Sequence, residues 1–157
     1  MIKIERILVP VDFSESSQKA LRYGCEIARV HGSKLDVLHV INQRIIDALH
    51  DMSAKGYKGE FVEVLKKVVK ERREEMDRFV PASMREGVEV DFEIRKGKPA
   101  EEVILFAKDN RIDLVILGNV GRSALEAALV GSVARNVTNH APCPVLLVRA
   151  VEHDFIQ

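Results

Sequence analysis

A chain of 157 residues, 46% apolar and 31% charged with a mean hydropathy of -0.04, fits one domain that buries about two-thirds of its unfolded surface. Lys plus Arg and Asp plus Glu balance at 24 each, which excludes a global electrostatic pull toward nucleic acid or an acidic membrane. No apolar run approaches the roughly 20 residues of a membrane span, so neither a membrane nor a nucleic-acid partner is expected.

The opening MIKIERILVPVDFS carries Lys3, Glu5 and Arg6 where a secretion leader would be apolar, and a cytoplasmic protein is expected. Ile4 to Val11 is apolar and nearly continuous, as a strand covered on both faces should be. It runs into Asp12-Phe13-Ser14, where Asp12 or Ser14 can cap a helix over Ser16 to Val30. The stripe Leu21, Gly24, Cys25 and Ala28 supports that helix, and Gly32 stops it. Cys25 and Cys143 read as small buried hydrophobes, and two cysteines make no disulfide framework. Lys34 to Ile41 is a second strand, in which His39 reads as a hydrogen-bonded core histidine rather than a base. The five histidines show no metal-ligand spacing. In residues 42 to 59, Ile45, Ile46 and Leu49 suggest a short helix, while Gly56 and Gly59 suggest a mobile segment near the mouth of a site.

Glu60 to Arg85 predicts a long amphipathic helix with Phe61, Leu65, Val68, Val69, Met76 and Phe79 on one side and the KKVVKERREE charges on a solvated face. Val88 to Ile94 alternates strictly, the mark of an edge strand. Pro99 opens a helix with Glu101 and Glu102 at its positive end and Ala100, Val103, Ile104 and Ala107 as its buried stripe. Ile112 to Leu117 and Val145 to Val148 are the remaining strands. This alternation predicts an α/β domain with a five-stranded parallel sheet, helices on both faces and right-handed crossovers. With the first and fourth strands as neighbours the order is 3-2-1-4-5, and the ligand crevice of such sheets falls between them. Asp12 and Gly118, at the ends of those two strands, would meet there.

The spacing Gly118-x2-Gly121-x9-Gly131-Ser132 points to phosphate. Glycines after a strand can take a positive φ and admit a bulky ligand to the backbone. A helix starting at Gly131 would aim the N–H groups of Ser132 and Val133, and the Ser132 hydroxyl, at an anion. The alternative is that Gly118 and Gly121 are turn glycines and Gly131 a tolerated defect in one helix, which would cost about 1 kcal/mol relative to alanine.

Three stretches carry a family resemblance: ILVPVDFSESSQKAL, GKPAEEVILFAKDNRIDLVILG and GNVGRSALEAALVGSVARNVTNHAPCPVLLV. Together they resemble the ATP-binding branch of the universal stress proteins over essentially the whole chain, with residues 1–150 as the domain and 151–157 as a tail. The resemblance implies a Rossmann-like fold of the adenine nucleotide alpha hydrolase type. It implies that Asp12 bonds the ribose hydroxyls and that Pro10, Val11 and Val40 line the adenine pocket, with Leu117 in the same set. Gly118 and Gly121 would shape the loop beside ribose and phosphates. Gly131, Ser132 and Val133 would contact the phosphate chain, and Arg122 is either a phosphate counter-charge or a solvent-facing loop residue. Asn119 and Val120 depart from the pattern of many relatives, so AMP or ADP stand beside ATP as ligands. Magnesium would enter only through the phosphates.

The resemblance therefore implies a nucleotide-dependent regulatory module of the stress response. The chain lacks a GxxxxGK[ST] loop and a visible general base, so at most weak ATP hydrolysis is expected from it. A slow ATPase or a phosphoryl- or nucleotidyl-transferring enzyme is the alternative, and a dimeric adaptor without nucleotide is another. The last strand, with Val145, Leu146, Leu147 and Val148, would lie at the sheet edge and pair with a second copy as a homodimer. The sequence does not name a downstream partner.

Overall fold

The computed structural model describes residues 1–55, 60–120 and 130–149. The elements are β1 (Arg6–Pro10), α1 (Glu15–His31), β2 (Lys34–Asn42), α2 (Gln43–Ala54), α3 (Glu60–Phe79), β3 (Val90–Gly97), α4 (Pro99–Asp109), β4 (Leu114–Gly118), α5 (Ser132–His140) and β5 (Val145–Val148). The strands form one parallel sheet in the order β3-β2-β1-β4-β5, as the alternating pattern predicts.

Strand alternation sorts the core into two layers. Ile7, Val9, Leu35, Val37 and Ile116 face α1 and α3, meeting Ala20, Leu21 and Met76. Leu8, Leu38, Val115 and Leu117 face α4 and α5, meeting Val103, Phe106, Ala107, Ala134 and Val137. Both sheet faces are therefore covered, which is why the inner strands read as near-continuous apolar runs.

Several boundaries differ from the sequence reading. Helix α3 ends at Phe79 rather than Arg85, because Pro81 offers no N–H and disfavours helical backbone at Val80. Only Met76 of its apolar stripe is fully buried; Phe61, Leu65, Val68, Val69 and Phe79 are half-buried. The short helix suggested after residue 42 is a 12-residue helix, α2, capped by Asn42, whose Oδ1 accepts the Arg44 N–H at 3.1 Å. In α4 the buried stripe is Ala100, Val103, Phe106 and Ala107, with Ile104 only half-buried. Phe106 also carries the Arg95 guanidinium over its ring at 4.8 Å, a contact that helps hold α4 against β3.

Candidate functional site

The site begins where two strands separate. β1 pairs with β4 at Ile7↔Leu114 and Leu8↔Val115, although β1 continues to Pro10 and β4 to Gly118. Beyond Leu8 the two strands diverge, at the position where strand order reverses, and a cavity of about 920 Å³ opens there. That volume lies in the upper part of the roughly 300–1,000 Å³ range of small-molecule sites. Pro10, Val11, Asp12, Val40, Leu117, Gly118, Gly131, Ser132 and Val133 all line it. The expected site residues Gly121 and Arg122 lie outside the described residues, as do Gly56 and Gly59.

At one end stands α5. Gly131 is its N-cap, with φ −60° and ψ 156°, so Gly131 precedes the helix rather than interrupting one. Its N–H donates to the Asn119 carbonyl at 2.8 Å, and its carbonyl accepts the Arg135 N–H at 2.9 Å. Asn119 in turn donates its N–H to Val148 at 2.8 Å, so this buried residue ties α5 to β5. The first-turn N–H groups of Ser132 and Val133 have no carbonyl one turn back within the helix, and the helix dipole is positive there. Arg135, one turn further on, also lines the cavity and donates to the Val130 carbonyl at 3.3 Å. An anion fits this end.

Gly118 has a different reason from the one its position suggests. Among the described residues the left-handed glycines are Gly32, Gly87 and Gly97, so no positive φ is needed at Gly118. A Cβ there would stand 2.1 Å from Ser16 Oγ and 2.8 Å from the Ser16 backbone carbon. Gly118 lets the first turn of α1 sit against the end of β4.

The acidic turn closes the next wall. Ser14 is the N-cap of α1, its Oγ accepting the Ser17 N–H at 3.1 Å. Asp12 Oδ1 accepts the Ser14 N–H at 3.1 Å and the Ser14 hydroxyl as well. Asp12 thus orients the cap instead of being it, and its half-buried carboxylate stands on the cavity wall. Phe13, between them, has a φ of 64°, an outlier for a bulky side chain. Its ring lies 4.5 Å from that of His39 and edge-on to Phe79 at 5.4 Å.

The third wall is the open edge of β2. Lys34 donates its N–H to Glu5 and Val11 donates to Leu38, each at 2.8 Å, so even-numbered β2 residues turn their backbone groups toward β1. Leu35 donates to Glu89 at 2.8 Å, so odd-numbered ones turn toward β3. The β1–β2 register ends at Pro10↔Leu38. The next even residue is Val40, whose N–H and carbonyl therefore face the cavity past the end of the ladder.

Among the cavity residues that sequence reasoning missed are Arg72, Arg135, Ile45 and Pro99. It also placed His39 in the core without placing it on the wall. Arg72 is half-buried and ion-paired to Glu75 at 2.7 Å. A signal was present: Arg72 is one turn before Met76 and two before Phe79, so it interrupts the apolar stripe of α3 rather than belonging to the solvated face. His39 is buried and its Nδ1 lies 2.9 Å from the Val11 carbonyl oxygen. A carbonyl only accepts, so Nδ1 carries the proton. Burial holds this imidazole below the usual histidine pKa, and the Arg72 charge adds to that; the Val11 hydrogen bond, Glu75 and Asp12 oppose it.

The chain is thus an α/β protein with a parallel sheet whose switch-point crevice, where open sheets of this kind take their ligands, runs from the free end of the β1–β2 ladder to a helix N-terminus. More particularly, the chain belongs to the universal stress protein family, which it matches over residues 3–149. It is 30% identical to universal stress protein MJ0531 of Methanocaldococcus jannaschii over 146 residues, 92% of this chain and 82% of that one. To MJ0577 of the same organism it is 31% identical over 156 residues, 94% and 96% of the two chains. The solved structure of MJ0577 matches with a TM-score of 0.80 at 28% identity, covering 98% of this chain and 100% of that one. A universal stress protein of Archaeoglobus fulgidus, solved in complex with dAMP, shares the fold with a TM-score of 0.62 at 23% identity over 95% and 100% of the chains. Among the described residues no helix is long and apolar enough to cross a membrane.

Proposed function

We propose that the chain is an ATP-binding universal stress protein, a nucleotide-dependent regulatory module acting as a cytoplasmic homodimer. One observation carries the reading: the Val40 N–H and carbonyl, beyond the end of the β1–β2 ladder and unpaired among the described residues, and the N-terminus of α5 open on one cavity. Adenine offers a 6-amino donor beside the N1 acceptor, which suits a carbonyl and an N–H from one residue. Guanine in the same orientation offers the reverse. Pro10, Val11 and Leu117, which line the cavity, would supply apolar wall for the base, and Asp12 would bond the ribose hydroxyls. Gly131, Ser132 and Val133 would take the phosphates, with Arg135 as counter-charge and Mg²⁺ held by the phosphates alone. Binding of dAMP by the Archaeoglobus relative is in keeping with this.

Calorimetric titration tests it. Mg-ATP is expected to bind on the order of tenfold or more tighter than Mg-GTP, since each mispaired buried polar group costs about 1–3 kcal/mol. Equal affinities, or none, would reject the base assignment. AMP or ADP binding as tightly as ATP would show that the outer phosphates find no partners. Dedicated catalysis draws no support from the cavity, because Asp12 holds Ser14 and His39 holds the Val11 carbonyl.

The homodimer rests on the edge position of β5, which pairs with β4 on its inner side. Its side chains divide: Leu146 is 36% exposed, Val145 and Leu147 are half-buried, and Val148 is buried in its own core. Leu146 is therefore the side chain offered to a partner, while the other three would contribute backbone and flanks. Leu146→Arg is expected to yield monomer in light scattering; a persistent dimer would exclude this edge.

A further inference from the structure

The open edge of β2 needs a reason to stay open. In a continued parallel ladder the Val40 N–H would bond the Val11 carbonyl, the next step after Val11 N–H to Leu38 O. That carbonyl is instead taken by a side chain, the Nδ1–H of His39 at 2.9 Å. The imidazole is fixed in place by Phe13, whose ring lies 4.5 Å away and packs in turn on Phe79. Phe13 sits at a φ of 64°, a strained backbone that turns the chain away from β2 immediately after Val11 and Asp12, and the ring stack is what over-determines it.

From this geometry we infer that His39 is the positioning residue for base recognition: it occupies the Val11 carbonyl, ends the β1–β2 ladder, and so leaves the Val40 N–H and carbonyl for the ligand. The inference rests on the nucleotide reading above and adds the residue on which its base selectivity depends. His39 acts through backbone and not by touching the base. Its ring belongs to the α1–α3 face with Phe13 and Phe79, whereas Val40 packs on the α4–α5 face. The charged groups around the ring are Arg72 and Glu75 from α3 and Asp12 from the turn after β1. Protonation would add a hydrogen at Nε2 and leave the Nδ1–H in place. The device therefore holds in both charge states, which separates it from a histidine that contacts the ligand directly.

Two variants and one unliganded measurement test this. His39→Asn keeps an N–H donor at the Nδ1 position; His39→Leu keeps bulk and removes the donor. Wild type and His39→Asn are expected to prefer Mg-ATP to Mg-GTP, and His39→Leu to lose on the order of tenfold of that preference, the value of about one buried hydrogen bond. In ligand-free protein the Val40 amide should exchange rapidly in wild type and become protected in His39→Leu, where it can reach the Val11 carbonyl. The wild-type preference for ATP should also persist from pH 7 down through the titration of His39, followed by its ring ¹⁵N signals. A protected Val40 amide in ligand-free wild type overturns the inference even if His39→Leu fails to fold. So does a His39→Leu protein with unchanged preference, or a preference that titrates with His39. A wild type that binds neither nucleotide defeats the underlying reading instead, and the exchange measurement still reports on the ladder.

Discussion

Asp12→Ala is expected to weaken Mg-ATP binding about 10- to 100-fold and to destabilise the protein by about 1 kcal/mol, and the two losses have separate origins. The affinity loss follows from a charge-assisted hydrogen bond to the ribose, about 1.5–3 kcal/mol. The stability loss follows from the cap: Asp12 Oδ1 accepts from the Ser14 N–H and hydroxyl, and Ser14 Oγ accepts the Ser17 N–H that opens α1. Without the carboxylate the Ser14 hydroxyl is no longer oriented, and a lost N-cap costs on that order. Asp12→Asn separates the two, because its amide oxygen still accepts from Ser14 but carries no charge. It should recover most of the urea midpoint and little of the affinity. Normal ATP binding by Asp12→Ala would reduce Asp12 to its capping role.

Gly118→Ala is expected to cost about 1–3 kcal/mol of stability, the range for overpacking a filled interior. The new Cβ would stand 2.1 Å from Ser16 Oγ, 2.9 Å from Ser16 Cβ and 2.8 Å from the Ser16 backbone carbon. A hydroxyl can rotate away; a backbone carbon in the first turn of a helix cannot. The end of β4 and the start of α1 must therefore separate, carrying the Ser14 cap and the Asp12 turn with them. ATP affinity should fall along with stability. Ser16 Oγ is buried without a hydrogen-bond partner among the described residues, so Ser16→Ala alone should be close to neutral. Combined with Gly118→Ala it should relieve only the hydroxyl part of the clash. A Gly118→Ala protein with wild-type urea midpoint would show that the contact relaxes freely.

The fold was legible in the sequence because both of its periodicities are strong. The continuous apolar runs at Ile4 to Val11 and Lys34 to Ile41 mark buried parallel strands, and the alternation from Val88 marks the edge strand, β3. Pro99 and Gly131 both fall at helix starts, where proline and a side-chain-free cap are favoured. What the sequence hid are effects of one element on another. Arg72 looked like part of a charge run because the neighbouring charges do face solvent; only the packing of α3 on the sheet through Met76 and Phe79, the latter against Phe13, brings this one to the cavity. Gly118 looked like a loop glycine because the helix that forbids its side chain lies about a hundred positions away in the chain. His39 was recognisable as a bonded core histidine, but its partner is a backbone carbonyl at the end of a different strand, which no local pattern marks. The end of α3 was legible in principle at Pro81, where the charged, helix-favouring run on either side concealed it.

The most direct measurement is a titration of ¹⁵N-labelled protein with Mg-ATP, following backbone amides. The Val40 amide at one end of the crevice and the Ser132 and Val133 amides at the other are predicted to shift together and saturate at one concentration, while amides in the last turn of α1, which does not line the cavity, stay in place. Shifts at Ser132 and Val133 without Val40 would mean an anion site that does not read a base. Saturating shifts confined to another face of the sheet would contradict the account.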